Sequence, residues 1–456
     1  MRDHSKHVEL SREQAVEGMI DALGASFGWQ CPYEGNRAEG APIDVAGADR
    51  AWEDADHARE VERKMVETVP LEAAVGRVLA HSLHSRIDAP NTLTCCMDSI
   101  AVHWSDFEQG IPDTSAWVRG VDWEFANTGI AMPQGFDTAI VIENVEVSED
   151  NACVRILAAP SKRYAGTKPA GANMKRGDLL CRAGKVLTPD DIARIASGNH
   201  TCAPVVRKPR VAFIPTGNEL VAPGSASVET GKNLETNSFV VRGKVEQWGG
   251  VFVPFDIVPD DPERIRDAVL LACEVADIVV LNAGSSKGSD DWSVEQMEDM
   301  GQIICHQTNH GPGHHSSYAV VESTPIVGIS GPSGGASFTL NFYLKPVMKR
   351  FLGLPHAPER IPAVLTEAFP AKPSKPKPTQ AAGGEERPSV AAPHAVFYGI
   401  KFVEAKMSDD GVFRATPVKG HAGSTPTLHA NAYYMMPSGP GMEPPEAGDV
   451  IWIELR

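Results

Sequence analysis

An alternation of apolar runs and amphipathic stretches begins at Arg210 and continues to about Gly353. Four apolar runs are predicted to be buried strands, and their sequences are VAFIPT, VFVPFDIV, ADIVVLNA and PIVGIS. Residues 238–248 and 262–275 between them are predicted to be helices, and a last helix is predicted to end at Gly353. This alternation predicts a parallel sheet covered by helices.

Helical signals also occur earlier in the chain. Ser11 and Gln14 form a capping box ahead of an amphipathic stretch, which is predicted to be a helix that ends at Gly24. The segments PLEAAVGRVLA, which follows Val69, and PDDIARIAS, which follows Thr188, are also predicted to be helices. Thr188 is predicted to cap its helix, with a proline just inside the helix start.

The remaining regions are β-like or irregular. Residues 25–58 are rich in Gly, Ala and Asp and are interpreted as an irregular insertion. Residues 91–160 contain short alternating runs broken by Gly, Pro and Asn, which predict a small β-rich domain. Residues 370–394 are proline-rich and are predicted to be disordered or extended. The closing segments FYGIKFVEAK and DVIWIELR predict a small all-β domain.

Length and charge limit the classes of function. A chain of 456 residues exceeds the usual size of a single core and indicates about three domains. Its formal charge of -17 repels phosphate backbones and anionic lipids, so neither nucleic acid nor a membrane is an expected partner. The eight cysteines show no CxxC pair, and no window is long and apolar enough to span a membrane. These features predict a cytoplasmic protein with reduced thiols.

Three polar loops follow the first three strands of the alternating region, at residues 216–219, 259–261 and 284–291. In parallel sheets such loops meet at the carboxyl ends of the strands, where ligands bind. Glycines allow backbone amides to approach an anion, and clustered carboxylates suit Mg²⁺. The alternative interpretation is that each loop is only a turn, because turns use the same residue types.

The loops carry a resemblance to a known family. PRVAFIPTGNELV resembles a strand followed by TGDEL, IVPDD resembles IxDD, and AGSSKGSDD resembles GGVSxGxxD. Upstream, PLEAAVGRVLA, TCCMDSIAV and NTGIAMP resemble further motifs of the same family, and GSTPTLHANAYYMMPSG matches its last domain. On these motifs, which cover residues 65–456, the chain resembles the MoeA/gephyrin E-domain family.

The resemblance implies an elongated multidomain chain of α/β plus β class, with a doubly wound MogA-like α/β domain, a small β-rich domain and a C-terminal all-β domain. The implied domains are residues 1–88 with 159–207 as a linking domain, 89–158 as the β-rich domain contacting a dimer partner, 208–353 as the molybdopterin-binding α/β domain, and 354–456 as the C-terminal β domain. The implied assembly is a homodimer whose site combines two subunits.

The implied activity is that of a molybdopterin molybdenumtransferase, a Mg²⁺-dependent enzyme that inserts molybdate into adenylylated molybdopterin and releases AMP. Adenylylated molybdopterin and molybdate are thus the implied substrates. Further implied partners are a molybdoenzyme or the adenylyltransferase of the pathway.

The resemblance also assigns site residues. The implied catalytic residues are Asp98, Glu219 and Asp291, and the implied metal ligands are Asp260, Asp261 and Asp291, with Asp290 as the alternative to Asp291. The implied substrate-binding residues are Thr128, Gly217, Gly284, Ser285, Ser286, Lys287, Gly288, His314 and Ser333.

Several residues depart from the family pattern and leave alternatives open. Gly311 and His314 stand where the family's KPGKP segment has lysines. This loss favours a second hypothesis, a catalytically weak paralogue that binds molybdopterin as a carrier or scaffold. A tungstate-specific transferase is a third hypothesis, because two oxyanions of such similar size are not distinguished by sequence. The pair Cys95–Cys96 and the histidines between His306 and His315 have no assigned role, and a metal site is one interpretation of the histidines.

Overall fold

Residues 65–206 form one unit of the fold, and residues 207–456 form a second unit together with helix α1 (Arg12–Phe27). The ranges described by the computed structural model are 10–27, 65–224, 228–282, 292–305, 308–312, 316–331, 333–370, 396–420, 427, 430–439 and 441–456. The predicted insertion at 25–58 and the proline-rich segment at 370–394 lie almost entirely outside these ranges.

Helix α1 begins with the predicted capping box. The backbone N–H of Ser11 donates to Gln14 Oε1 at 3.0 Å, and the N–H of Gln14 donates to Ser11 Oγ at 3.2 Å. The predicted end at Gly24 is wrong, because the helix continues to Phe27. A glycine inside a helix costs only about 1 kcal/mol, which neighbouring turns offset. The buried face of α1 packs within the second unit.

The unit of residues 65–206 is rich in short antiparallel strands, as predicted for residues 91–160. Its core surrounds the fully buried Trp123, which packs with Ile100 and Ile140 from neighbouring strands. The strands are β1 (Val66–Pro70), β2 (Leu83–His84), β3 (Thr94–Cys95), β4 (Ser99–Val102), β5 (Trp123–Ala126), β6 (Thr138–Val141), β7 (Val145–Val147), β8 (Val154–Ile156), β9 (Thr167–Lys168), β10 (Leu179–Cys181) and β11 (Cys202–Val206).

The helix predicted for PLEAAVGRVLA does not form. Pro70 ends β1, and Leu71–Ala73 makes only a short 3-10 turn. Gly76 then takes φ +76°, and Val78 and Leu79 form bridges to Val186 and Val205. Burial of these apolar side chains in the sheet core therefore outweighed the helical propensity of the segment.

Helix α2 (Pro189–Ser197) is confirmed together with its cap. Thr188 Oγ1 accepts from the backbone N–H of Asp191, and the Asp191 carboxylate accepts from the N–H of Thr188 at 3.0 Å. Lys185 Nζ also donates to this carboxylate at 2.6 Å. Burial raises the pKa of Asp191, but the hydrogen bonds from Lys185 and Thr188 outweigh burial and lower the pKa to about 2.

Asp191→Ala is expected to destabilise this unit by about 2 kcal/mol, since it removes half of the capping box and leaves the backbone N–H of Thr188 without its acceptor. Because the folded-state pKa lies below the ordinary value of 3.8, this contribution is complete above pH 3.8 and is lost as the pH falls toward about 2. Thermal unfolding followed by circular dichroism at neutral and acid pH measures this contribution to the stability of the unit. The exposed neighbour Asp190 provides the control, and equal losses in Asp190→Ala and Asp191→Ala would contradict the assignment.

The alternating region forms the predicted α/β sheet. Four parallel strands occupy the order β15–β12–β16–β20, and β19 and β17 extend the sheet as antiparallel strands. The second apolar run is shorter than predicted, because pairing ends at Pro254. The strands are β12 (Arg210–Pro215), β13 (Leu220–Val221), β14 (Asn233–Leu234), β15 (Val251–Pro254), β16 (Ile278–Asn282), β17 (Gly301–Cys305), β18 (His310–Gly311), β19 (Ser317–Val321) and β20 (Thr324–Ile329).

The three helices predicted in this region lie within two residues of their predicted positions. The last one is interrupted by a π-helical turn at Leu340–Leu344. In the described ranges no helix is both long and apolar enough to cross a bilayer. The helices are α3 (Asn237–Gln247), α4 (Pro262–Val275), α5 (Trp292–Met300), α6 (Ser333–Thr339) and α7 (Lys345–Phe351).

The C-terminal strands close into a barrel, which confirms the all-β prediction for the end of the chain. Strand β22 pairs with β23 on one side and with β24 on the other, and β21 and β25 complete the ring. The predicted α/β plus β architecture is therefore confirmed. The barrel strands are β21 (Arg360–Leu365), β22 (Phe397–Met407), β23 (Phe413–Pro417), β24 (Ala432–Ser438) and β25 (Val450–Leu455).

Candidate functional site

The carboxyl ends of three parallel strands lie side by side in the α/β sheet. Pro215 at the end of β12 pairs with Asn282 at the end of β16, and Asn282 pairs with Ile329 at the end of β20. The loops that follow these strands therefore begin next to one another. This edge is where the sequence predicted the chemistry to be.

The loop after β12 is shaped around a glycine. Gly217 has φ +147°, and a Cβ atom on it would lie 2.6 Å from Glu219 Oε2 and 2.8 Å from Oε1. The missing side chain thus leaves room for the Glu219 carboxylate to fold back over the loop. Thr216, which is buried, donates a hydrogen bond from Oγ1 to the carbonyl of Asn282 and fixes the loop to the next strand.

The loop after β15 is joined to the loop after β12 by a reciprocal pair of hydrogen bonds. The backbone N–H of Asn218 donates to Asp260 Oδ2 at 2.9 Å, and the N–H of Asp260 donates to Asn218 Oδ1 at 3.2 Å. Asp261 has a different role, because its Oδ1 accepts from the N–H of Arg264 and caps helix α4. Of the two predicted carboxylates, Asp260 is the one held against the loop of Glu219.

A pocket of about 380 Å³ opens at this edge of the sheet. Glu219 and Ser333, both predicted as site residues, line it. The sequence interpretation missed the buried Glu235, Asn237 and Asn282, which line it too. Asn282 could have been identified from the sequence, since it is a polar residue at the end of an apolar strand. The described lining contains no lysine or arginine.

Asn237 joins two strand ends and leaves one atom unsatisfied. Its Nδ2 donates to Asn282 Oδ1 at 3.0 Å and to the carbonyl of Gly331 at 2.9 Å. Because a carbonyl oxygen only accepts hydrogen bonds, the contact with Gly331 requires that the Asn237 amide presents its nitrogen, and not its oxygen, to that carbonyl. Asn237 Oδ1 is buried and accepts from no donor in the described part of the chain. An unsatisfied buried acceptor costs about 1–3 kcal/mol, so a ligand that donates here would gain affinity.

The β-rich unit brings together two other predicted residues. The backbone N–H and the hydroxyl of Thr128 each donate to Asp98 Oδ1 at 3.0 Å, and both residues are exposed. These two hydrogen bonds lower the pKa of Asp98 below its ordinary value. Asp98 is therefore a fixed, ionised carboxylate at neutral pH.

Other predicted residues contribute less to the described site. The adjacent thiols Cys95 and Cys96 form no disulfide, and Cys95 Sγ donates to the carbonyl of Met97. His310 is fully buried, and its Nε2 is hydrogen-bonded to the hydroxyl of Tyr343 at 2.6 Å. The predicted residues that lie outside the described ranges are Gly284, Ser285, Ser286, Lys287, Gly288, Asp290, Asp291, His306, His314 and His315.

Two family models match the chain in succession. The first describes the MoeA N-terminal region, domains I and II, and matches residues 48–198. The second describes a probable molybdopterin binding domain and matches residues 212–350. Together these matches cover more than half of the 456 residues.

Curated relatives and solved structures agree with these matches. The chain is 26% identical to a molybdopterin molybdenumtransferase of Haemophilus influenzae, over 64% of this chain and 76% of that protein. It is 27% identical to the enzyme of the same name from Nostoc sp., over 63% and 70% of the two chains. The molybdopterin biosynthesis MoeA protein of Pyrococcus horikoshii superposes with a TM-score of 0.65 at 22% identity, over 88% of this chain and 98% of that chain. The superposition supports the fold alone.

Proposed function

The chain belongs to the MoeA family, and from this premise we propose that it is a molybdopterin molybdenumtransferase. It takes part in molybdenum cofactor biosynthesis, inserting molybdate into adenylylated molybdopterin with release of AMP. The observation that carries the proposal is the pocket at the carboxyl edge of the sheet, which is lined by Glu219 and by the buried Asn237. The proposed compartment is the cytosol, which cell fractionation tests.

The chemistry of the pocket suits the two ends of such a substrate. A pterin ring carries N–H donors, and the buried residues Asn237 and Glu235, which line the pocket, carry acceptor oxygens. The exposed carboxylates of Glu219 and Asp260 lie on adjoining loops and are available to a metal ion that bridges phosphates. The pocket therefore supports binding of the pterin at the buried end and of the phosphates at the open end.

The donor set at the open end fits Mg²⁺. This ion is usually held by one or two carboxylates together with waters and substrate phosphates, so a complete cage of protein ligands is not required. No group of three potential metal-ligating side chains occurs among the described residues. Glu219 and Asp260 would hold the ion together with Asp291, and Asp261 contributes by capping α4. An Mg²⁺ ion held there would supply positive charge against the phosphates of the substrate.

The test is an assay of AMP. Purified protein is incubated with adenylylated molybdopterin, Mg²⁺ and molybdate, and AMP and active cofactor are measured. We expect both products. In size-exclusion chromatography the activity should elute at about twice the chain mass of 48.9 kDa, as expected for a homodimer whose site includes Asp98 and Thr128. Activity with tungstate but not molybdate would identify the tungstate-specific alternative.

A carrier or scaffold is the second candidate, and one observation favours it. The described pocket has no lysine or arginine in its lining, although its substrate is anionic. If the protein binds the substrate but releases no AMP under any metal condition, the transferase proposal is wrong and the carrier is supported.

Asn237→Ala is expected to remove the preference for a 2-amino group on the ligand. Wild-type protein should bind pterin about tenfold more tightly than lumazine, which has a carbonyl in place of the amino group, because Asn237 Oδ1 accepts from the amine and repels a carbonyl. Isothermal titration calorimetry measures both ligands. Asn91→Ala, at an exposed position in the other unit, serves as the control and should keep the preference. Equal affinity of wild-type protein for pterin and lumazine would show that Asn237 does not recognise the 2-amino group of the ligand.

A further inference from the structure

We propose that a second pocket, between helix α7 and the C-terminal barrel, binds a tetrahedral oxyanion. The pocket has a volume of about 140 Å³, several times the roughly 30 Å³ that one water takes up in the liquid. This volume suits an ion of the size of sulfate, phosphate or molybdate. We call it the cationic pocket, and its charged lining consists of Arg12, Lys345, Lys349, Arg456, Glu359 and Glu454.

The buried carboxylate in the cationic pocket is already saturated. Arg12 Nη1 donates to both oxygens of Glu454, at 2.7 and 2.8 Å, and Arg360 Nε donates to Oε1 at 3.1 Å. Both Arg12 and Glu454 are buried. The single negative charge of Glu454 is therefore shared by two arginines. Its charge also acts on Lys345, but among the described residues it forms no ion pair with either lysine of the lining.

The other cations of the pocket have little compensation. Lys349 pairs at 3.2 Å with Glu359, whose side chain is 87% exposed, so this pair is weakly held. Lys345 and Arg456 form no ion pair within the described residues. Arg456 instead donates to the backbone carbonyls of Thr427 and Ala430, which fixes its position. The lining thus keeps an excess of positive charge in a chain whose net charge is -17.

A third uncompensated cation lies just behind the lining. Lys244 Nζ donates at 2.8 Å to Oδ1 of Asn341, a residue that lines the cationic pocket. Burial lowers the pKa of Lys244 to about 8, with further contributions from the charges of Arg456 and Lys345. The ammonium groups of Lys244 and Lys345 both lie within 6 Å of the Trp248 ring centre, at 5.3 and 5.8 Å. The fold therefore holds like charges together at a cost that a bound dianion would offset.

The nature of the lining identifies the class of ligand. Ammonium and guanidinium groups donate hydrogen bonds and accept none, so the ligand must present acceptor oxygens. A small tetrahedral oxyanion meets this requirement and the volume. Inorganic phosphate and a metal oxyanion such as molybdate share this chemistry. The experiment must therefore include both.

The test is calorimetric titration of the full-length protein with sulfate, phosphate and molybdate at low ionic strength. Lys345→Gln and Lys349→Gln, made separately, should each weaken binding about tenfold, because each removes a cation next to the anion. Lys406→Gln is the matched control, since this exposed lysine pairs with Glu404 on the barrel surface. Circular dichroism confirms that each variant is folded.

The outcomes separate this site from the candidate active site, because the two pockets share no lining residue in the part of the chain that the structure describes. Glu219→Gln should leave oxyanion binding in the cationic pocket unchanged. If phosphate binds more tightly than molybdate, the pocket is a phosphate site. If molybdate binds more tightly than phosphate, the pocket is a reservoir of the metal oxyanion. Either result supports the proposal. Absence of binding for all three anions, or affinity unchanged in both lysine variants, would overturn it.

Discussion

Glu219→Gln is expected to lower the rate of AMP release by about a hundredfold or more. Glutamine keeps the length of the side chain and one acceptor oxygen, but it removes the charge that makes a carboxylate a ligand for Mg²⁺. Glu219 lines the candidate pocket, and its loop is hydrogen-bonded to the loop of Asp260. A loss of this size corresponds to about 2.7 kcal/mol of transition-state stabilisation.

The measurement is the rate of AMP release in a single turnover, with saturating Mg²⁺ and molybdate. Pterin affinity should change little, because Glu219 acts at the open end of the pocket while Asn237 acts at the buried end. Glu229→Gln is the control, because Glu229 is an exposed carboxylate that does not line the pocket. A loss below threefold in Glu219→Gln would remove Glu219 from the set of catalytic residues.

The framework of the α/β domain was predictable because its signals are local. The helix Pro262–Val275 forms at its predicted residues, since its apolar side chains recur on one face. The strands ending at Pro215 and Ile329 were visible as apolar runs. In each case, a few neighbouring residues determine the structure, and burial of the apolar side chains agrees with them.

Predictions failed where distant residues decide the structure. PLEAAVGRVLA has good helix formers, but its apolar residues are needed in a core with Ala203 and Val205, which lie more than a hundred positions later. The antiparallel strand β17 pairs with β19, and no strand had been predicted at Gly301–Cys305. Long-range pairing of this kind leaves no signature in a short window.

The candidate site was predicted only in part for the same reason. Glu219 and Asp260 were predicted as site residues because both follow strands in recognisable loops. Asn237 was missed, because its importance depends on Asn282 and Gly331, to which it is joined by hydrogen bonds across 45 and 94 positions. Asp261 was assigned to metal binding by the family resemblance, and its capping of helix α4 was not predicted. Residue type suggests what a side chain is able to do, and contacts decide which use it has.

Gly217→Ala is expected to reduce AMP release nearly as much as Glu219→Gln, about thirtyfold to a hundredfold, without touching a functional group. A Cβ atom at this position would lie 2.6–2.9 Å from three atoms of the Glu219 carboxyl group, and φ +147° is unfavourable for any L side chain. The end of a flexible side chain moves more readily than the backbone, so the carboxylate should be displaced while the fold survives. Displacing a catalytic group by about 1 Å is enough to lower the reaction rate a hundredfold.

Non-additivity distinguishes this explanation from general destabilisation. If Gly217 acts only by leaving room for the Glu219 carboxylate, the double variant Gly217→Ala, Glu219→Gln should be no slower than Glu219→Gln alone, because the group to be displaced is already inactive. Gly231→Ala is the control for backbone strain, since Gly231 has φ +88° but no atom within 4 Å of its Cβ position. Its rate should match wild type. Multiplicative losses in the double variant would mean that Gly217 serves the reaction independently of Glu219, for instance by presenting its own backbone amide to the substrate.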